Sequence, residues 1–297
     1  MEPKNKCIIC FKKGRTVVRN NLSMFLCDSC NLFWREDFSL PENHYENQDF
    51  RLSNEKIEQR VSNAKDRINI IKKYVTLDNL CDIGCGEGVF LKTLKDLGYK
   101  NLVGLEPGKV AQDFAKTNNL KIVEGSIESL DRKFFSENNI HTVTMFHVIE
   151  HLNDPFKLLK KVFDSMSVGD KLVIETPDME SYLLKKLNYV HELIYPEHFY
   201  YFNKKNIKKI LKNIGFKIVV SGNRDFDPKN MSIRESLMRL GLLRPMGRVV
   251  GKSDTTSMTG KIKEIKDNPI KTIIRSILSK AVTFFDRGSY LWLVAEK

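Results

Sequence analysis

The chain has 297 residues, of which 41% are apolar and 29% charged, and its formal net charge is +12. This composition indicates a soluble globular protein with room for one large domain and one small one. Because no apolar run approaches the ~18 residues of a transmembrane helix and the first residues lack an apolar signal core, we expect a cytoplasmic protein. The positive charge permits a nucleic-acid, phosphate-bearing or anionic-membrane partner, but it is spread along the chain and decides little alone.

Four cysteines near the start of the chain have the spacing of a zinc ribbon. They form the pattern C-x2-C-x16-C-x2-C: Cys7, Cys10, Cys27 and Cys30. Two such knuckles bring four thiolates around one Zn²⁺, which leaves no open position and indicates a structural metal. The predicted ribbon segment, 1–40, has few apolar residues and would take its folding energy from the ion. Two disulfides are the alternative, and a cytosolic setting disfavours them.

Residues 41–75 are predicted to connect this ribbon to a larger domain that spans 76–297. The connector begins with aromatic and polar residues and ends in a helix, because apolar residues recur at helical spacing over 54–74. A strand is predicted next, at 78–83, so the helix leads into the larger domain.

A glycine-rich stretch follows this strand and opens a helix. Its glycines occupy every second position: Gly84, Gly86 and Gly88. Glycines allow a sharp turn and a close ligand approach, and the helix that follows offers free N–H groups. The spacing departs from the dinucleotide fingerprint because Val89 stands where a third small residue is expected. Asp82, two positions before the first glycine, suits an ammonium or sulfonium ligand better than a phosphate.

This stretch resembles the first motif of the class I S-adenosylmethionine-dependent methyltransferases. Glu106, at the tip of the next predicted strand, is placed to accept both hydroxyls of a ribose. The resemblance implies a site for S-adenosyl-L-methionine formed by these residues: Asp82, Gly84, Gly86, Gly88, Glu106, Ser126, Ile127 and His147. An ordinary βαβ turn in another doubly wound protein is the alternative.

Strands and helices continue to alternate after this motif. Further strands are predicted at 101–106, 120–124, 141–147 and 171–176, and an antiparallel pair at 216–220 and 289–295. The pattern predicts an α/β fold: a doubly wound, mostly parallel, seven-stranded Rossmann-like methyltransferase sheet beside a small zinc ribbon. Residues 221–288 form a predicted helical insertion. Its cationic amphipathic helix at 269–285 could lie on a membrane, but we expect its apolar stripe to pack on the protein itself.

Ionisable residues gather where catalysis is expected, beyond the carboxyl ends of the strands. His147, Glu150 and His151 follow the fourth strand, and Glu197 and His198 lie in a later aromatic loop. Methyl transfer needs a positioned acceptor and a base, and histidine is suited to that role. We predict His198 as the base, oriented by Glu197. His147 and His151, each with Glu150, are alternative bases or shape the cofactor pocket by hydrogen bonding.

The order of these motifs is similar to that of nucleotide-sugar C-methyltransferases with an N-terminal zinc-binding domain. In that family a Glu-His pair supplies the base, and the pair matches Glu197 and His198. The resemblance implies a small-molecule or glycan acceptor. Because the family carries a further C-terminal domain and this sequence stops after its seventh predicted strand, O-methylation of a sugar hydroxyl is an equal alternative.

Two rival interpretations stay open. Zinc-ribbon methyltransferases also act on RNA, and a metal-assisted 2′-O-methylating family carries Glu-x-x-Glu-His and a later histidine on its metal. Here His147 stands at the first position of that motif, so the match is partial. A non-catalytic protein that binds S-adenosylmethionine is the alternative from another class.

Overall fold

The computed structural model describes residues 5–39, 54–108, 110–125, 130–186, 193–194, 197–225, 233–243, 269–285 and 287–297. Within these residues the strands and helices follow in this order: β1 (Arg15–Arg19), β2 (Leu22–Cys27), β3 (Leu32–Arg35), α1 (Asn54–Ile71), β4 (Leu80–Ile83), α2 (Val89–Asp96), β5 (Leu102–Glu106), α3 (Val110–Thr117), β6 (Lys121–Glu124), α4 (Arg132–Glu137), β7 (Thr142–Phe146), α5 (Pro155–Ser165), β8 (Lys171–Pro177), α6 (Tyr182–Lys186), β9 (Tyr200–Tyr201), α7 (Lys204–Ile214), β10 (Lys217–Arg224), α8 (Ile233–Arg239), α9 (Pro269–Phe284) and β11 (Tyr290–Glu296). A 3₁₀ turn, Ile149–His151, follows β7.

The larger sheet has the strand order β10–β11–β8–β7–β4–β5–β6. Its strands run parallel except β11, which is antiparallel to both of its neighbours. The predicted α/β, doubly wound, seven-stranded fold is confirmed, including the antiparallel pair at its end. The direction of winding reverses beside β4, since β5 lies on one side of it and β7 on the other. In such sheets ligands bind at that reversal, beyond the carboxyl ends of the strands.

The fourth strand of the ribbon sheet, β9, comes from a part of the chain far from the ribbon in sequence. β1, β2 and β3 form an antiparallel sheet, and β9 pairs with β3 so that Phe33 lies opposite Tyr201 and Trp34 opposite Tyr200. The Arg35 N–H donates to the Phe199 carbonyl at 2.8 Å. Trp34 is 1% exposed and belongs to the same buried cluster as the larger sheet. The ribbon therefore holds the chain segment that includes β9.

Helix α7 joins the two sheets. Its N-terminus carries a capping box in which Asn203 and Asn206 bond reciprocally, and both side chains also donate to the Asn31 carbonyl of the ribbon, at 3.0 and 3.3 Å. Its apolar residues recur at helical spacing and are buried, as Ile207 and Ile210 show. The helix also contains five lysines and no acidic residue, so its outer side is basic.

Two predictions about placement differ from the structure. His147 was predicted inside the fourth strand, but β7 ends at Phe146 and His147 has φ +58°, a left-handed conformation that ends the strand. The apolar stripe of 269–285 was expected to pack on the protein. Of this stripe Val282 is buried and Leu278 and Ala281 are half-buried, whereas these residues are exposed: Ile270, Ile273, Ile274, Ile277 and Phe285. The predicted connector residues 41–53 lie outside the described residues.

Candidate functional site

The glycine loop leaves open space at one of its positions, beyond the end of β4. All three glycines have positive φ: 70° at Gly84, 52° at Gly86 and 85° at Gly88. A Cβ added at Gly84 would lie 2.5 Å from Val148, and at Gly88 2.8 Å from Ile122, so those two positions require close packing. At Gly86 no atom would lie within 4 Å. Gly86 therefore faces space that a ligand can enter.

Two carboxylates flank this loop. Glu106 ends β5, where its Oε2 accepts from the Gly86 N–H and its Oε1 from the Gly108 N–H, both at 3.0 Å. Asp82 is 3% exposed, and its Oδ1 accepts from the Thr144 hydroxyl at 2.6 Å. Burial raises the pKa of Asp82 to about 7. A buried carboxyl of this kind gains from a cationic ligand, such as the sulfonium or ammonium group of S-adenosylmethionine.

The 3₁₀ turn after β7 lies directly against the glycine loop. Val148, just before the turn, is the side chain that a Cβ at Gly84 would strike. The next residues include Glu150, which is 1% exposed, and His151. The Glu150 carbonyl accepts from the Phe199 N–H at 2.7 Å, which ties the turn to the loop that carries His198. The contact brings residues far apart in sequence to one edge of the sheet.

Glu150, His151 and His198 form a compact cluster there. One ligand atom from each lies within 4.8 Å of the others, and the two imidazole rings are 4.8 Å apart between centroids. The His151 Nδ1–H donates to the Glu197 carbonyl at 2.9 Å, and the His198 Nδ1–H to the Leu193 carbonyl at 3.0 Å. Backbone carbonyls fix the tautomer of metal-bound histidines in this way. The cluster is therefore a two-histidine, one-carboxylate donor set that fits a divalent transition-metal ion.

Charge is distributed to suit such an ion. Burial lowers the pKa of His198 to about 4, so its ring is neutral near pH 7. Burial opposes ionisation of Glu150, but the hydrogen bond from His147 and nearby imidazoles outweigh it and lower its pKa to about 2. A neutral imidazole and an ionised carboxylate are the forms that bind metals. A histidine whose pKa is about 4 is a weak general base at pH 7.

His147 braces the cluster. Its Nδ1 lies 3.2 Å from Glu150 Oε1 and its Nε2 3.2 Å from Glu175 Oε1. Burial opposes its protonation, yet hydrogen bonds to both carboxylates raise its pKa. The Thr176 hydroxyl donates to Glu150 Oε2 at 3.0 Å. Both ring nitrogens of His147 are thus engaged by carboxylates, and its role as a base or in shaping the cofactor pocket stays a prediction.

Buried charges behind His147 were missed by sequence reasoning. Glu175, 1% exposed, accepts from Arg67 of α1 at 2.6 Å and pairs with Arg224 of β10 at 2.5 Å. Burial opposes its ionisation, but the two guanidinium groups outweigh it and hold its pKa well below the usual range. The one feature of the sequence that could have indicated a buried ion pair is Glu175, which follows the apolar residues Leu172–Ile174 in a predicted strand. Its partners lie on distant elements and left no local pattern.

The four ribbon cysteines meet as predicted. Their sulfur atoms lie within 4.8 Å of one another, and Cys10 Sγ is 3.5 Å from Cys27 Sγ. Burial raises the pKa of the Cys7 thiol, so a cation would be needed to favour its thiolate. Tetrahedral coordination at Zn–S ≈ 2.3 Å needs sulfurs roughly 3.8 Å apart, which this cluster can reach. The donor set fits a structural zinc.

Lysines of two separate segments lie beside the second cysteine knuckle, Cys27–Cys30. Lys12 Nζ donates to the Ser29 hydroxyl at 3.2 Å, and Lys209 Nζ of α7 lies 3.9 Å from Cys30 Sγ. Lys205 and Lys212, on the outer side of α7, are exposed. We call the lysines of α7 together with Lys12 the knuckle-side basic surface.

Three other predicted site residues need separate mention. Ser126 and Ile127, predicted as part of the S-adenosyl-L-methionine site, lie outside the described residues. Glu197 is half-buried, and its backbone carbonyl accepts from His151. The predicted orientation of His198 by the Glu197 carboxylate stays a prediction.

Comparison with known proteins agrees with this fold. Two solved structures share the fold with TM-scores of 0.51: an S-adenosylmethionine-dependent methyltransferase from Archaeoglobus fulgidus, 22% identical, covering 78% of this chain and 92% of that one, and phosphoethanolamine N-methyltransferase 2 of Haemonchus contortus in complex with S-adenosyl-L-methionine, 15% identical, covering 95% and 71%. The tRNA U34 carboxymethyltransferase of Campylobacter curvus is 27% identical over 119 residues, 37% of this chain and 39% of that protein. The one from Campylobacter hominis is 26% identical over 138 residues, 41% and 46%. The chain thus spans less than half the length of these curated relatives.

The sheet order and the glycine loop at its reversal define a class I S-adenosylmethionine-dependent methyltransferase. A family model described as a methyltransferase domain matches residues 44–221, and the chain belongs to that family. None of the helices in the described parts of the chain is long and apolar enough to span a bilayer.

Proposed function

We propose that the protein methylates a ribose hydroxyl of RNA, with tRNA as the first acceptor to test. We further propose that Glu150, His151 and His198 hold a divalent ion beside the acceptor, and that the four ribbon cysteines hold zinc. The cluster of these three side chains against the glycine loop is the observation that carries the proposal. A hydroxyl needs activation before methyl transfer, and this donor set fits an ion that can provide it.

The choice of RNA rests on two further observations. The curated relatives are named for a reaction on tRNA, although each aligns over less than half of its length. The knuckle-side basic surface adds a concentrated positive charge to a chain whose net charge is +12. Lysines of this kind neutralise phosphates without reading sequence. The comparisons favour RNA over the sugar acceptor predicted first, for which they offer no support.

The residues of the site divide the chemistry between them. Asp82, Glu106 and the loop around Gly86 would hold the cofactor, with the Glu106 carboxylate fixed by two backbone N–H groups. When bound, a divalent ion would lower the pKa of an acceptor hydroxyl coordinated to it. Glu150 supplies the negative ligand and is held by His147 and Thr176. In this proposal His198 is a metal ligand rather than the general base, because burial lowers its pKa to about 4.

Methyl transfer to separate acceptor pools tests the proposal. Zinc-loaded protein, Mn²⁺ and S-adenosylmethionine with a labelled methyl group are incubated either with purified tRNA or with sugar nucleotides and cell-surface glycans. We expect label in tRNA, reduced ~100-fold or more in Glu150→Gln, with cofactor affinity unchanged. Label confined to the sugar pool would overturn the choice of RNA. Equal activity of Glu150→Gln would overturn the metal site.

RNA binding tests the knuckle-side basic surface separately. Lys205→Ala/Lys212→Ala should weaken tRNA binding and lower the slope of log affinity against log salt by ~1 for each phosphate that is no longer neutralised. Lys100→Ala, an exposed lysine between α2 and β5, is the matched control. An unchanged slope in the double variant, or an equal weakening in the control, would contradict this placement of the RNA.

A further inference from the structure

Helix α9 presents an apolar side to solvent. We define the α9 apolar face by five residues and their exposed fractions: Ile273 (59%), Ile274 (39%), Ile277 (60%), Phe284 (83%) and Phe285 (60%). Spacings of three, four and seven residues put them on one side of the helix, and the two phenylalanine rings touch at 5.2 Å between centroids. Isolated exposed apolar residues are ordinary, but a continuous set on one helix marks an interaction surface.

Two residues beside the α9 apolar face, and one small residue within it, are at least partly buried. Val282 is 1% exposed, and Leu278 and Ala281 are half-buried. Helix α9 contacts α8 and β10. Among the described residues, the core therefore leaves the five side chains of the α9 apolar face largely exposed.

The charge of the helix indicates what covers this face. Residues 269–285 contain Lys271, Arg275 and Lys280 and no aspartate or glutamate. An apolar side combined with an exclusively basic complement is the pattern of helices that lie in the interface of an anionic bilayer. A second copy of the chain would bring like charges together, since the whole chain carries +12.

The end of helix α9 lies near the edge of the sheet that carries the candidate site. The chain leaves α9 through Arg287, whose guanidinium lies 4.3 Å over the Tyr182 ring, and enters β11 at Tyr290. The Tyr290 ring contacts His147 at 5.1 Å between centroids. Because Tyr290 pairs with Pro177 at the end of β8, α9 ends at the edge of the sheet that carries the site.

We propose that the α9 apolar face docks the protein on an anionic lipid surface. The isoleucines and phenylalanines enter the boundary between headgroups and acyl chains, and the positive charge of the helix sequence favours anionic headgroups. This docking goes beyond the proposed RNA methylation and does not depend on the acceptor.

Vesicle sedimentation with the zinc-loaded chain of 297 residues tests it. The probes are 100-nm vesicles of phosphatidylcholine alone and of equal parts phosphatidylcholine and phosphatidylglycerol. We expect binding to the anionic vesicles, weaker binding to the neutral ones, and a loss of at least tenfold in Ile273→Ser/Ile277→Ser, which keeps the net charge. Val18→Ser/Val168→Ser removes two exposed apolar side chains elsewhere and should bind like the natural chain.

Three outcomes would overturn the proposal. The first is absence of binding to anionic vesicles. The second is equal binding by Ile273→Ser/Ile277→Ser, which would assign vesicle binding to charge alone, including the knuckle-side basic surface. The third is a dimer in sedimentation equilibrium that dissociates in the same variant, which would assign the face to a second copy. Thermal unfolding of each variant verifies that these exposed substitutions leave the fold intact.

Discussion

Asp82 is expected to lower the folding stability of the cofactor-free protein and to raise its affinity for the cofactor. Its carboxyl is 3% exposed, and burial raises its pKa from 3.8 to about 7. A shift of about 3 units corresponds to ~4 kcal/mol, an upper bound on the cost of keeping the group ionised in the folded chain. Because the pKa of Asp82 is raised on folding, its contribution to folding stability is fully present below pH 3.8, where the carboxyl is protonated in both states. This contribution is lost as the pH rises towards 7. Asp82→Asn removes this cost and keeps an oxygen that can accept from Thr144.

Urea unfolding of the cofactor-free protein measures this cost. At pH 8 we expect Asp82→Asn to be more stable than the natural chain by ~2–4 kcal/mol, and at pH 5 by less, because the folded carboxyl is then protonated. Glu124→Gln, an exposed acid on the neighbouring edge strand β6, should change neither value. Equal stability of Asp82→Asn and the natural chain at pH 8 would refute the burial argument.

Cofactor titration measures the opposite effect. Ionised Asp82 should attract the cationic groups of S-adenosylmethionine, so affinity should rise between pH 6 and pH 8 in the natural chain. Asp82→Asn should bind ~10-fold or more weakly at pH 8 and lose most of this pH dependence. An Asp82→Asn variant that binds the cofactor as tightly as the natural chain would remove Asp82 from the cofactor site.

Further predictions concern the supports of the metal cluster. Arg224→Met should cost ~3–5 kcal/mol in urea unfolding, because it leaves the buried Glu175 carboxylate one cation short; a cost below ~1 kcal/mol would contradict that ion pair. Cys27→Ser should abolish zinc binding and weaken Mn²⁺ binding at the cluster ~10-fold or more in titration calorimetry, because the ribbon holds β9 and so places His198. Unchanged Mn²⁺ affinity in Cys27→Ser would contradict the argument that the ribbon positions His198.

The sequence was informative where a local pattern has a local cause. Alternating strands and helices, the glycine loop and the paired cysteines each specify structure within a few residues, and the fold class and the cysteine cluster followed from them. Asp154 followed by Pro155 is another local pattern, typical of the start of a helix, and in the structure the Asp154 side chain accepts from the Lys157 N–H at 2.9 Å. Such features depend on neighbours along the chain, which the sequence displays directly.

Features that depend on residues far apart in the chain could not be predicted from the sequence. Glu150 and His198 are 48 positions apart, and their meeting depends on the two-residue strand β9, which is too short to leave a periodic signal. The ion pairs of Glu175 draw on α1 and β10. The stripe on α9 was recognised, but whether an apolar stripe faces the core or solvent depends on tertiary packing rather than on its period.

The chemical position of the transferred methyl group most directly tests metal-assisted transfer to a ribose hydroxyl. tRNA labelled by the natural chain with Mn²⁺ is digested to nucleosides and separated, beside tRNA treated with Glu150→Gln and His198→Ala. We predict label in 2′-O-methylated nucleosides, dependent on Mn²⁺ and lost in both variants. Label on a base, or 2′-O-methylation that persists in both variants, would contradict this mechanism.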